Sequence, residues 1–160
     1  MIRAYIALGA NLDNPAAAIR NAISELRTLP HSAMVAVSSL YRSAPVGLKN
    51  QPDFINAVAA VDTSLSARQL LDALFAIEAA FGRQRSVRNA PRTLDMDLLL
   101  YGDSISDDPQ LTVPHPRMHQ RAFVLLPLAE IAPAAAIPGQ PALPALIAAC
   151  SDQAIARIDD

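Results

Sequence analysis

Two carboxylates follow directly on four guanidinium groups in the stretch from Gly82 to Tyr101, GRQRSVRNAPRTLDMDLLLY. Arg83, Arg85, Arg88 and Arg92 fall within ten residues that hold no acid, and Asp95 and Asp97 then open a run that alternates like a strand. Alternate side chains of an extended strand share a face, so the two aspartates are neighbours with Cα atoms about 6.5–7 Å apart. Such a pair either stays solvated at a strand end or takes up a counter-charge. Hard oxygen donors beside phosphate suit Mg²⁺, and the planar guanidinium grips phosphate oxygens bidentately at any working pH. The combination serves phosphoryl transfer, which needs charge neutralisation and in-line positioning rather than a covalent nucleophile. Neither G-x-x-x-x-G-K-[ST] nor G-x-G-x-x-G occurs to cradle phosphate on backbone amides, and no Ser-His-Asp or Cys-His pairing is apparent.

Other polar residues admit two readings each. His115, between Pro114 and Pro116, either donates to phosphate or stiffens a loop turn. Asn56 interrupts an apolar strand, so its amide must be satisfied by backbone or by a ligand edge. Arg83 and Arg85 could simply favour the C-terminus of the preceding helix, an explanation that does not reach Arg92. Glu78 reads most simply as solvated or arginine-paired, and His31 as a solvated turn residue.

The elements that must position these groups follow from periodicity. Ile2, Ala4, Ile6 and Leu8 give a first strand with one apolar face. Asn14-Pro15 starts a helix with Ile19, Ile23 and Leu26 on its buried stripe, ending at Pro30. Met34 to Ser43 is expected as a second strand with Val35, Val37 and Tyr41 on one face, and Ala44 to Asp53 as an ordered loop suited to ligand contacts. A third strand runs from Phe54 to Thr63, with Phe54, Asn56 and Val58 on one side and Ile55, Ala57 and Val61 on the other. Ser66-Ala67-Arg68-Gln69 is a capping box opening a second helix, with Leu70, Leu74, Ile77 and Phe81 inward and Gly82 as its C′ residue. The fourth strand places Asp95, Asp97, Leu99 and Tyr101 on one face and Met96, Leu98 and Leu100 on the other. A short Ser104-Ile105 segment follows. Arg117 to Leu126 can form a helix curtailed by Pro127. Pro127 to Pro144 reads as a wrapped surface segment, and Leu143 to Ala149 as a short last helix.

This order, β-α-β-β-α-β, is the ferredoxin-like α+β sandwich: an antiparallel sheet with helices on one face, followed by extra C-terminal helices. Its other face is expected to stay open for the loops and aspartates. At 160 residues and 52% apolar content, the chain is expected to be a single domain over residues 1–160. A net charge of -2 argues against a general nucleic-acid or anionic-membrane binder. Cys150 is the sole cysteine and no export or membrane signal is found, which fits a reducing cytoplasm. An RNA-binding sheet of this architecture would normally present stacking aromatics, and the chain has four Phe, three Tyr and no Trp. A non-catalytic small-molecule regulator and a Mg²⁺-dependent nucleotidyltransferase stay as alternatives on the residues alone.

The segment Pro91-Arg92-Thr93-Leu94-Asp95-Met96-Asp97 resembles the signature of the 6-hydroxymethyl-7,8-dihydropterin pyrophosphokinases of folate biosynthesis. Tyr5 to Leu12, Ser38 to Ser43, Gln51 to Ala57, Val113 to Pro116 and Arg121 to Phe123 supply five more blocks of the resemblance, which runs from about residue 1 to residue 133. The resemblance implies transfer of diphosphate from ATP to the hydroxymethyl group of the pterin, releasing AMP. It implies two Mg²⁺ on Asp95 and Asp97, and catalytic roles for Arg83 and Arg92. ATP would be held by Glu78, Arg85, Arg92, Thr112, His115 and Arg121. The pterin would lie among Ser43, Ala44, Val46, Phe54, Asn56 and Phe123, with the two phenylalanines as its sandwich and Asn56 bonded to the ring. Arg83 to Arg88 would form a mobile lid over ATP. The only partners expected are ATP and the pterin, with no nucleic acid, no membrane and a monomeric state.

Overall fold

In the computed structural model, which describes residues 1–12, 14–45, 50–81 and 94–158, the alternation along Ile2–Ala10 forms strand β1. Ala4, Ile6, Leu8 and Ala10 are buried on one face, whereas Tyr5 and Ala7 face a second core. Ile2, expected inward, is 40% exposed at the strand's start. Helix α1 (Pro15–Arg27) begins as its sequence requires. Asn14 takes the left-handed conformation that asparagine tolerates, and its Oδ1 accepts the Ala17 N–H at 3.4 Å.

The single strand expected over residues 34–43 is two strands, β2 (Ser32–Val37) and β3 (Leu40–Ser43), both antiparallel to β4 (Phe54–Thr63). Ser38 causes the interruption. Its N–H donates to the Val58 carbonyl and its Oγ accepts the Val58 N–H, each at 2.9 Å, so a hydroxyl replaces a ladder carbonyl. A separate register shift between Met34 and Ala36 breaks the expected common face of Val35, Val37 and Tyr41 and leaves Val35 44% exposed.

Helix α2 (Ala67–Ala80) has the expected capping box, with Ser66 Oγ accepting the Gln69 N–H at 3.1 Å and Gln69 Oε1 accepting the Ser66 N–H at 2.9 Å. Leu70 and Leu74 are fully buried, and Ile77 and Phe81 pack at the margin of the same core. Glu78 is not solvated: it is 2% exposed.

Strand β5 (Asp95–Tyr101) pairs with β1 at one end of the sheet. Ile6 lies opposite Leu98 and Tyr5 opposite Leu100, so Leu99 is an inserted bulge residue. Leu99 and Leu100 therefore both join the second core, and Tyr101 is sent to the other face, where its hydroxyl donates to the Leu65 carbonyl. Strict alternation puts Tyr101 with the aspartates; the extra residue reverses the parity beyond Leu99.

The sheet order is β5-β1-β4-β3, with β2 also on β4, which is the split βαβ topology. A strand not anticipated from sequence, β8 (Ile155–Ile158), extends the sheet beyond β3. α1 and α2 cover one face. The opposite face is partly closed rather than open: α3 (Ala122–Ile131) and α4 (Leu143–Ala149) bury Val58, Leu99, Leu100, Val124, Leu125 and Leu128 there. The stretch before α3 is a 3-10 turn, Met118–Gln120. α3 runs through Pro127 to Ile131, so the surface segment starts later than expected, and even there Ile137 is buried. Strands β6 (Ser106–Asp108) and β7 (Leu111–Val113) form a hairpin. Among the described residues, no helix is long and apolar enough to cross a membrane.

Candidate active site

The uncovered part of the second sheet face, beside the start of α3, is a cleft enclosing about 750 Å³ of empty space that is partly open to solvent. β3 contributes Ser43 and, just beyond it, Ala44; β4 contributes Phe54 and Asn56; β5 contributes Asp95 and Asp97. Arg121 and Phe123 enter from the N-terminus of α3, and His115 from the loop after β7. Residues from five distant segments thus meet, and β4 and β5 flank β1 and present the same face.

Ser43 and Asn56 are both buried, and the Asn56 Nδ2 donates to the Ser43 Oγ at 2.7 Å. That bond fixes the orientation of the amide. Gly9 separates the two chemistries, pairing with Asn56 on one side and Asp95 on the other. By sequence Gly9 to Leu12 reads as the break that ends the first strand, but β1 runs through Gly9 to Ala10, and a glycine inside a strand is itself a signal of close approach. Asn11, also unassigned, is 2% exposed, and its Nδ2 donates to Gln51 Oε1 at 2.8 Å and to the Pro52 carbonyl at 3.0 Å. It ties the loop before β4 to the end of β1.

The bulge at Leu99 sets the place of His115, whose N–H donates to the Leu99 carbonyl at 2.9 Å. The His115 Nδ1 accepts the Arg117 N–H at 3.1 Å. Burial, reinforced by the Arg121 charge and opposed by Asp95, pushes the His115 pKa down to about 4. The ring is neutral near pH 7, and with Nδ1 accepting, Nε2 carries the proton and is the available donor. Arg121 lies with its guanidinium carbon 5.4 Å from the centroid of the Phe123 ring.

Thr112 lines a second, adjoining cavity with Asp97, His115, Leu71, Phe75 and Leu111. The two cavities meet at Asp97 and His115. Glu78 lines neither; its Oε2 instead accepts the Met96 N–H at 2.7 Å. Arg83, Arg85, Arg92 and Val46 lie outside the described residues, as does the lid expected from Arg83 to Arg88.

The donor set suits a hard divalent cation. Both carboxylates face one cleft, and the Asp95 Oδ1 is shielded from solvent, where an anion beside a second anion demands a counter-charge. Among the described residues no cluster of three or more His, Cys, Asp or Glu side chains could hold a metal by itself. Mg²⁺ ordinarily takes one or two carboxylates and completes its shell with water and substrate phosphate.

Comparison with known proteins agrees with this geometry. Residues 5–133 match the family described as 7,8-dihydro-6-hydroxymethylpterin-pyrophosphokinase (HPPK). The chain is 50% identical over 156 residues to the 2-amino-4-hydroxy-6-hydroxymethyldihydropteridine pyrophosphokinase of Pseudomonas aeruginosa, covering 98% of this chain and 96% of that one. To the Haemophilus influenzae protein of the same name it is 42% identical over 159 residues, 99% of each chain. A crystal structure of Plasmodium falciparum HPPK-DHPS shares the fold, with a TM-score of 0.69 at 15% identity over 92% of this chain; the chain spans 44% of that longer protein. With six sequence blocks, an antiparallel α+β fold and full-length relatives in accord, the chain belongs to the 7,8-dihydro-6-hydroxymethylpterin-pyrophosphokinase family.

Proposed function

We propose that this protein transfers the terminal diphosphate of ATP to 6-hydroxymethyl-7,8-dihydropterin, giving AMP and the pterin diphosphate, a step of folate biosynthesis. The observation that carries this reading is one cleft that joins an oriented buried amide and two phenylalanines to a carboxylate pair. Asn56, held by Ser43, recognises the polar edge of the heterocycle. Phe54 and Phe123 supply apolar faces for the flat ring, while Ala44 lines its loop side. The triphosphate then lies where the two cavities meet, with the adenosine toward Thr112, Leu71 and Phe75.

In the reaction, the pterin hydroxymethyl oxygen attacks the β-phosphorus of ATP. The bond to the α,β-bridging oxygen breaks, the electron pair leaves with AMP, and the hydroxyl proton is lost to solvent. Asp95 and Asp97 hold two Mg²⁺, which supply charge neutralisation and Lewis-acid polarisation of the phosphates. The neutral His115 donates through Nε2 to a phosphate oxygen, and Arg121 adds a fixed positive charge. From the segment outside the described residues, Arg83 and Arg92 act on the leaving phosphate and Arg85 on ATP. Glu78, expected at the nucleotide, lines neither cavity and lies behind β5 on the Met96 amide.

The protein works as a single domain and a monomer in the cytoplasm, with no nucleic-acid or membrane partner. Its one cysteine, buried and free, is consistent with a reducing compartment. Incubation with ATP, Mg²⁺ and 6-hydroxymethyl-7,8-dihydropterin is expected to yield AMP and the pterin diphosphate in equal amounts. Pyrophosphate with a nucleotidyl adduct, or no product at any Mg²⁺ concentration, defeats the reading.

A further inference from the structure

A buried carboxylate needs a partner that justifies its desolvation. Glu78, in the last turn of α2, is 2% exposed, and its Oε2 accepts the Met96 N–H at 2.7 Å. Met96 is the residue between Asp95 and Asp97, and its own side chain is fully buried in the core beneath α2. β5 ends the sheet, so among the described residues no strand neighbours its backbone on the side away from β1. A strand end at an open edge is where backbone position is least determined by the ladder. Glu78 supplies there, from a helix, the acceptor that a further strand would have supplied. The acceptor is a carboxyl oxygen, and the 2.7 Å bond is short for an amide donor.

We infer that Glu78 is a positioning residue for the metal-binding pair: through the Met96 amide it fixes the backbone from which Asp95 and Asp97 project. The inference rests on the reading that these two carboxylates hold Mg²⁺. Glu78 lines neither cavity, so it acts through the strand rather than on substrate. Asp95 and Asp97 are like charges on one face, and their spacing depends on how firmly the three-residue segment 95–97 is held. One hydrogen bond at its midpoint constrains both at once.

The test uses the full-length protein and three variants, with Mn²⁺ as an EPR-visible probe. Glu78→Leu keeps the size of the side chain but lacks an acceptor. Glu78→Asp keeps the carboxyl group but is one methylene too short to reach Met96. Glu78→Gln keeps an acceptor oxygen at the same reach. In Glu78→Leu and Glu78→Asp, the dissociation constant of Mn²⁺ in the presence of ATP is expected to rise about 10–100-fold, the range typical of lost outer-shell support. Exchange of the Met96 amide hydrogen, followed by NMR without metal, should quicken by at least about tenfold in both. Glu78→Gln should recover most of the metal affinity and the slow exchange.

Should Glu78→Leu fail to fold, Glu78→Asp gives the same readings. Wild-type Mn²⁺ affinity in a folded Glu78→Asp, or an unchanged Met96 exchange rate, overturns the inference while leaving the metal site intact. Glu78→Gln as impaired as Glu78→Leu also overturns it, since charge rather than the amide bond would then matter. A wild-type protein that binds no Mn²⁺ with ATP removes the metal reading and the inference together.

Discussion

The Asn56 Nδ2 donates to the Ser43 Oγ at 2.7 Å inside the cleft, so the amide that meets the heterocycle is oriented by the neighbouring strand. Asn56→Ala removes both the contact and its orientation. Its KM for the pterin is expected to rise about 10- to 100-fold, the consequence of losing about 1–3 kcal/mol at a buried polar group. Ser43→Ala leaves Asn56 in place but unsteady, and a rise of about three- to tenfold is expected, matching about 0.5–1.5 kcal/mol for one neutral hydrogen bond. In both variants the KM for ATP should stay near its wild-type value. Steady-state kinetics with each substrate varied in turn decides this.

Asp95 and Asp97 face the same cleft on alternate positions of β5. Asp97→Asn should lower kcat by about a thousandfold, the order expected when several kcal/mol of metal-derived charge stabilisation is lost. Its thermal midpoint without metal should be unchanged or higher, because the substitution relieves like-charge repulsion. A marked drop in the midpoint would instead give Asp97 a structural role. Chelation of Mg²⁺ should abolish wild-type turnover, and restoring Mg²⁺ should return it.

Gly9 lies between Asn56 and Asp95 in register, yet its backbone is not in the positive-φ region that demands glycine. A Cβ placed there would sit 3.4 Å from the Asn56 Oδ1, an ordinary contact. Gly9→Ala should therefore fold, and relief of glycine's entropy should leave it as stable as the wild type, within about 1 kcal/mol. The new methyl group enters the floor of the cleft, so the pterin KM should rise at least about tenfold, the lower end of the range for one methylene in a pocket. Calorimetric melting and pterin titration together test both halves.

Glu130 near the end of α3 accepts the Ser39 N–H at 3.0 and 3.1 Å, the Ser39 hydroxyl at 3.0 Å and the Tyr41 hydroxyl at 2.7 Å. Burial raises its carboxyl pKa, but the bonds from Tyr41 and Ser39 outweigh this and hold it below the ordinary 4.5. Burial, with help from Glu130, pushes Tyr41 up to about 12, so it remains a donor. A depressed folded-state pKa stabilises above the unfolded value and loses that contribution as pH falls through the folded one. The stability gap between wild type and Glu130→Gln should accordingly be full at about pH 7 and shrink below about pH 4.5. Urea unfolding at several pH values measures it, and a gap that widens in acid would contradict the assignment.

Features legible in the sequence were those decided by neighbours along the chain. The Asn14 cap, the Ser66–Gln69 capping box, the apolar stripes of α1 and α2 and the shared face of Asp95 and Asp97 depend on contacts within a few residues, which propensity and period express directly. The β-α-β-β-α-β order, and with it the sheet topology, followed from the same local patterns. Tertiary structure alone decided where long-range partners override the period. Leu99 bulges because β5 must match β1 while its carbonyl receives His115, and this reverses Tyr101. Ser38 splits a strand because its hydroxyl finds Val58. β8 and the helices α3 and α4 pack on surfaces that no local signal announces. Glu78 shows the difference most sharply: by position it is a polar residue beside the buried stripe of a helix. Only the approach of β5, with an edge amide in need of an acceptor, buries it.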